Sequence, residues 1–228
     1  MAKAMIIAPH PDDAELAMGG TIAKMIASDW EVIIVDLTDG EPTPYGSKEI
    51  RREETKLATQ ILSVAKRLCL NMPNRYLEAN LENRRRLAET IRLYQPDILF
   101  GPNAPDHHPD HIETSKLLTD ARFEAKLHKT DMKGAPHWAP HLYSYFSAHV
   151  LYHARPSFVV DITDFWEKKL QAIKAYKSQL KNTQTSIGSM LDKIEAINRY
   201  FGICIGTKYS EPFFCDDLIG LKDTEMLI

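Results

Sequence analysis

The sequence predicts an α/β fold, a mostly parallel sheet with helices on both faces, and three observations carry that reading. Short apolar runs alternate with helically spaced segments through the first half of the chain, the β-α-β-α order of such sheets. Residues 32–37 (VIIVDL) are apolar at nearly every position, as a strand covered on both faces is. The length, 228 residues, suits one domain spanning 1–228, since a domain takes about 100–200 residues.

The elements follow in order. Residues 4–8 (AMIIA) form a strand ended by Pro9, and 21–28 (TIAKMIAS) a helix opened by Gly19 and Gly20. After the strand at 32–37, residues 38–48 are rich in Gly, Pro, Thr and Ser and read as a loop. Residues 49–63 make a charged amphipathic helix with Leu57, Ile61 and Leu62 on one side. A short strand is expected at 67–71, a helix at 80–94 stopped before Pro96, and a buried strand at 97–101. The next loop, to residue 111, is dense in Pro, Asp and His. Strands at 141–146 and 157–162 and helices at 164–181 and 188–201 complete the chain as a helical C-terminal part. The close pair Gly19-Gly20 is not GxGxxG and reads as close helix–sheet packing.

Composition narrows the function classes. Hydrophobic residues at 44% and charged residues at 26% exclude a disordered chain, a collagen-like chain and a disulfide scaffold. A net charge of −3 argues against a nucleic-acid partner. Cys69, Cys204 and Cys215 are odd in number and lack CxxC spacing; a reducing cytoplasm is expected, with each Cys a small core residue. No run reaches the roughly 18–20 apolar residues of a membrane span, and the apolar run before Pro9 is too short for a signal segment. A soluble cytoplasmic protein with no membrane partner is expected.

Three loops directly follow predicted parallel strands: 9–20, 38–48 and 101–111. On neighbouring strands they converge where α/β sheets bind ligands. The first reads Pro9-His10-Pro11-Asp12-Asp13-Ala14-Glu15 and the third Pro105-Asp106-His107-His108-Pro109-Asp110-His111. Imidazole with carboxylate suits zinc or ferrous iron, and three protein ligands leave an open position. Proline restricts the residue before it to extended geometry, so adjacent aspartates are free for separate tasks, one on the metal and one facing water. One His-Pro turn is ordinarily only a turn; two His-Pro-Asp sequences after two strands call for chemistry. No GxSxG or P-loop is present.

On these residues the chain resembles the PIG-L/LmbE-like zinc-dependent N-acetylglucosamine deacetylases. The resemblance rests on Pro9 to Asp13 with Glu15, Gly19 and Gly20; on Thr38-Asp39-Gly40-Glu41 with Arg51, Glu54 and Ala58; and on His108 to His111. Residues 156–163, Lys177-Ser178-Gln179 and 202–213 look like the bacillithiol-pathway branch, and residues 182–194 depart from it. The resemblance implies a Rossmann-like fold without a nucleotide. It implies one divalent metal, zinc or else ferrous iron, on His10, Asp13 and His111. Asp12 is then the general base, His108 the oxyanion donor oriented by Asp110, and Arg51 a substrate-binding arginine. It implies a small amino-sugar substrate, the malate conjugate among the candidates, and a homo-oligomer, a hexamer.

The residue types suit amide hydrolysis, since a metal polarises a carbonyl and acidifies water while a carboxylate moves the proton. The rivals are a metal-dependent hydratase on the same scaffold, a non-catalytic metal- or sugar-binding module, and, less well matched, a phosphoesterase. Elsewhere Trp30, Trp138 and Trp166 read as packing residues, with Trp138 in a Pro/Gly/His loop suited to the site's mouth. His137, His141, His149 and His153 read as ordinary surface or half-buried residues, and Arg84-Arg85-Arg86 as a solvated helix face. Tyr209 and Glu211 read as near the site or at a subunit contact.

Overall fold

Strands apolar on both sides demand helices on both sides, and the chain supplies them. The computed structural model describes residues 1–148, 155–186 and 188–220. Strands β1 (Lys3–Ala8), β2 (Glu31–Thr38), β3 (Lys66–Met72), β4 (Ile98–Pro102) and β5 (His141–Tyr145) pair in parallel. Strands β6 (Phe158–Asp161) and β7 (Ser210–Phe214) extend the sheet antiparallel, in the order β3-β2-β1-β4-β5-β7-β6.

The period of two sorts the strand residues between two cores. Ala4, Ile6, Ala8, Val32 and Ile34 enter one, with α1 (Asp13–Ala27), α2 (Lys48–Leu62) and α5 (Trp166–Lys174) over it. Met5, Ile7, Ile33, Val35 and Leu37 enter the other, under α3 (Leu81–Tyr94) and α4 (Pro109–Ala125). The expected layers are therefore present.

Several element boundaries differ from the sequence expectation. The first helix starts at Asp13, not 21, and is kinked at Met18 (φ −137°, ψ 24°). Its second half begins at Gly19-Gly20, and a Cβ on Gly20 would lie 2.6 Å from Ile162, so close packing explains the glycine. The buried carboxylate of Glu211 accepts from the Gly20 and Thr21 N–H groups at 3.0 and 2.7 Å and pairs with buried Lys169 at 2.6 Å. Glu211 thus caps a half-helix inside the protein. Tyr209 is buried and stacked on Trp166 at 4.3 Å; neither Tyr209 nor Glu211 lines the cavity described below.

The helix expected at 164–181 is a 3-10 turn, α5, and the single turn α6 (Lys177–Leu180). The break falls at Tyr176 (φ −84°, ψ 61°), whose buried hydroxyl donates to Glu15 at 3.1 Å. Helix α7 (Met190–Ile205) starts at a capping box of Ser189 and Asp192. Cys69 and Cys204 are exposed and Cys215 is half-buried, so the expected core role fails: Cys69 sits on edge strand β3 and Cys204 near the end of α7. Among the described residues no helix is long and apolar enough to cross a membrane. His149 and His153 lie outside the described residues.

Candidate active site

The chain leaves β1 toward β2 and β3 on one side, then returns to β4 on the other. The β1 and β4 loops therefore exit side by side where the strand order reverses, the usual ligand position in such sheets. The loop after β2 lies next to them. His10, Asp12, Asp13, Arg51 and His108 line one cavity of about 270 Å³. A larger cavity of about 660 Å³ lies against α7, lined mainly by apolar side chains; none of the expected catalytic or metal-holding side chains lines it, so the chemistry belongs to the smaller one.

Asp13 stands between two imidazoles. Its Oδ2 is 3.0 Å from His10 Nδ1 and 3.3 Å from His111 Nε2. The opposite nitrogen of each ring meets a second carboxylate: His10 Nε2 is 3.0 Å from Asp110 Oδ2, and His111 Nδ1 is 3.0 Å from Asp106 Oδ2. A ring that donates outward to a carboxylate presents its lone pair inward, the arrangement of metal-ligating histidines. Two sets could hold an ion, His10–Asp13–His111 and His10–His108–Asp110, each with ligand atoms within 4.8 Å of one another. The first fits better. In the second, His10 Nε2 and Asp110 are turned to each other, and Asp110 also accepts from the Arg75 and Leu77 N–H groups at 2.8 and 3.3 Å.

Electrostatics agree with this geometry. Burial alone would lower the His10 pKa, but Asp110 and Asp13 raise it to about 9. Burial likewise opposes His111, which Asp13 and Asp106 raise to about 10. Burial would raise Asp13, yet His111 and His10 hold its carboxyl well below the usual range. Without a metal, protons on the imidazoles balance the carboxylates. Two imidazoles and a carboxylate with carboxylate-bound backs are a donor set suited to zinc.

Asp110 meets His108 through its backbone N–H, and its carboxylate faces other partners. Its carboxylate serves His10 and the 75–77 backbone, while its own N–H donates to His108 Nδ1 at 3.2 Å. An Nδ1 that accepts an N–H keeps its lone pair, which places the ring proton on Nε2. Burial, His10 and His111 all lower the His108 pKa. The ring thus offers an Nε2–H toward the cavity as a donor.

Asp12 is the N-cap of α1, yet its side chain makes no capping bond. Its backbone sits at φ 122°, a region that non-glycine residues occupy at a cost of about 1–3 kcal/mol and mostly at functional sites. Burial and Asp13 push its carboxyl up to about 7, against the pull of Arg51 and His10. Arg51 Nη1 donates to Asp12 Oδ2 at 3.0 Å and to the Pro11 carbonyl at 2.6 Å. Arg51 is only 3% exposed, and its Nε donates to Glu41 Oε1 at 3.3 Å. The arginine expected to bind substrate is thus already flanked by two acids. Glu54 does not pair with it; Glu54 accepts from the Ser178 N–H and hydroxyl, each at 2.7 Å.

Three features were missed from the sequence. Asp106 backs His111, and its signal was its place five residues before that histidine. Glu41 backs Arg51, although it was read as part of a motif. The Arg67 side chain, only 7% exposed, joins Glu15 and Asp36 at 2.5 and 2.7 Å. The departing region 182–194 does border the cavity through Met190, and Asn182 donates to the Tyr45 hydroxyl at 2.5 Å. Trp138 does not line the cavity; the Arg122 guanidinium lies 4.1 Å from its ring centroid. The Arg84–Arg86 run is not a free face. Arg84 pairs with Asp120 and Glu124 of α4, Arg85 with Glu89 and Asp131, and Arg86 reaches the Leu70 carbonyl.

Comparison with known proteins yields a consistent set. A family model described as GlcNAc-PI de-N-acetylase (PIG-L) matches residues 5–122. The diacetylchitobiose deacetylase of Thermococcus kodakarensis is 30% identical over 222 residues, 92% of this chain and 81% of that protein. A probable N-acetyl-alpha-D-glucosaminyl L-malate deacetylase 2 of Bacillus anthracis is 26% identical over 80% of this chain and 84% of its own length. A 4-oxalmesaconate hydratase of Pseudomonas putida is 26% identical over 78% of this chain and 74% of its own length. The crystal structure of a conserved protein from Thermus thermophilus superposes with a TM-score of 0.89 at 34% identity, covering 97% of both chains.

Proposed function

The chain belongs to the GlcNAc-PI de-N-acetylase (PIG-L) family, and from that premise we propose that it is a metal-dependent hydrolase that removes the acetyl group from an N-acetylglucosamine conjugate. The observation that carries the reading is the pair of inward-facing imidazoles around Asp13, each backed by a carboxylate, with a second, non-capping aspartate beside them. A binding module needs no such second aspartate.

His10, Asp13 and His111 would hold one divalent metal, zinc first. Such an ion supplies Lewis acidity to the acetyl carbonyl and to water. Asp12 lines the cavity beside those ligands and takes the proton of the attacking water. The water oxygen bonds to the acetyl carbon, the C–N bond breaks, and Asp12 returns the proton to the departing nitrogen. His108 offers its Nε2–H to the carbonyl oxygen as negative charge builds. Asp110 and Asp106 fix the rotation of the two ligand rings. The products are acetate and a free amino sugar.

The L-malate conjugate is one candidate substrate, supported by the Bacillus anthracis relative; diacetylchitobiose is another, supported by the Thermococcus kodakarensis relative. The hexamer and the cytoplasmic setting belong to the same reading; sedimentation checks the first. The test is acetate and amine release over a panel of N-acetylglucosamine conjugates, with the metal-stripped and the zinc-loaded protein. Stoichiometric acetate and amine, lost on stripping and restored by zinc, are expected. Hydration of an unsaturated acid without acetate release would instead favour the hydratase.

A further inference from the structure

We propose that Arg75 receives an anionic group on the aglycone, a carboxylate or a phosphate, so that this chain acts on acidic N-acetylglucosamine conjugates in preference to neutral ones. The inference rests on the deacetylase reading and names its substrate class. The cavity around His10 and Asp13 has two guanidinium groups in its lining, Arg51 and Arg75. Arg51 has the Asp12 and Glu41 carboxylates beside it at 3.0 and 3.3 Å. Arg75 is exposed, and among the described residues no acid pairs with it. Its Nη2 donates to the Pro42 carbonyl at 2.7 Å. A guanidinium presents five donors in a planar fork and takes carboxylate or phosphate oxygens two at a time.

The backbone fixes that side chain at the rim. Arg75 follows β3 and sits at φ 67°, where glycine or asparagine costs less. Among the non-glycine residues at positive φ, Asp12 and Arg75 are the two that line the cavity, and such backbone gathers at ligand sites. The turn is held from outside. The Arg75 and Leu77 N–H groups donate to Asp110 at 2.8 and 3.3 Å, and the same carboxylate is 3.0 Å from His10 Nε2. The residue that carries the guanidinium is thus one carboxylate away from a ring expected on the metal. At the other end of the side chain, the Pro42 bond crosses to the loop after β2, and Pro42 lines the cavity too. The rest of the wall is apolar at Leu16, Ile173, Leu180 and Met190 and neutral at Thr43 and Gln179. Beyond the metal set and the Asp12–Arg51 pair, Arg75 supplies the fixed charge of that wall.

Matched substrates on the full-length, zinc-loaded protein test the assignment: carboxymethyl N-acetylglucosaminide, its neutral carboxamide and the 2-phosphoethyl glycoside, each as both anomers. Acetate release gives kcat and KM. The wild type should favour at least one acid over the carboxamide by about 10–100-fold in kcat/KM, the worth of a hydrogen bond to a charged group. The difference should lie in KM more than in kcat, and the better acid tells carboxylate from phosphate. Arg75→Met, Arg75→Lys and Arg75→Glu all keep the backbone N–H that Asp110 accepts, so zinc content should be kept. Arg75→Met should raise KM for the preferred acid about 10–100-fold and for the carboxamide less than about threefold. Arg75→Lys should keep part of the preference, and Arg75→Glu should reverse it. No acid preference in the wild type, equal losses on acid and carboxamide in Arg75→Met, or loss of zinc would overturn the proposal. If the wild-type protein releases no acetate from any N-acetyl sugar, the deacetylase reading fails, and calorimetric binding of the same glycosides decides. An acid bound about tenfold or more tighter than the carboxamide, with the difference lost in Arg75→Met, supports the anion site; equal or absent binding overturns it.

Discussion

Asp12 and Asp13 are neighbours whose carboxylates face different partners. Asp13 lies between His10 and His111, while Asp12 turns to Arg51. Asp13→Ala should therefore strip the metal. Asp12→Ala should keep it and lower kcat by about 10²–10⁴-fold, the worth of a positioned base; metal analysis beside steady-state kinetics separates the two, and an Asp12→Ala variant with normal turnover would move the base elsewhere. Asp106→Asn should weaken zinc binding about 10–100-fold, as loss of a carboxylate behind a ligand histidine does, and competition with a chelator measures it. The His-Pro-Asp residues were legible because their types and spacing carry the chemistry. The roles of Asp106, Asp110 and Arg51 were not, because a side chain's partner depends on its rotamer and on loops distant in sequence.

At the scale of elements, the parallel strands and their helices were readable from apolar runs. Helix α4 was not, because its first residues are the Pro-Asp-His motif, and proline at a helix start looks the same as proline in a loop. Strand β7 was missed because Pro212 sits within it and Glu211 is buried in it, against both composition and polarity. The kink of α1 was not readable either: the N–H groups just after it are satisfied by Glu211, about 190 residues further along the chain. Gly20→Ala should drive a methyl into Ile162, contacts of 2.6–2.9 Å, and destabilise by about 1–3 kcal/mol. Thermal unfolding reads the loss; an unchanged melting temperature would show that Ile162 yields freely. Lys169→Met should cost more, about 3–5 kcal/mol, because it leaves Glu211 buried without its counter-charge. Lys169→Met combined with Glu211→Gln should recover part of that loss.

For the whole molecule, the reversal of strand order between β1 and β4 is what joins motifs about one hundred positions apart in the chain, as His10 and Asp110 show. The site is also linked to pH. His10 and His111 sit at about 9 and about 10 in the metal-free protein, so near pH 7 both carry protons that zinc must displace. Zinc affinity should thus rise with pH up to about 9–10, where both rings shed their protons, and fall progressively below that range. Calorimetry in buffers of different ionisation enthalpy should show net proton release at pH 7; pH-independent binding without release would contradict this.

The most direct test of the central claim is a crystal structure of the zinc-loaded protein with the metal located by its anomalous signal. The expected result is zinc bonded to His10 Nδ1, His111 Nε2 and an Asp13 oxygen at about 2.0–2.2 Å, with Asp12 outside the coordination sphere and still held by Arg51. Zinc on His108 and Asp110, or on Asp12, would contradict the account.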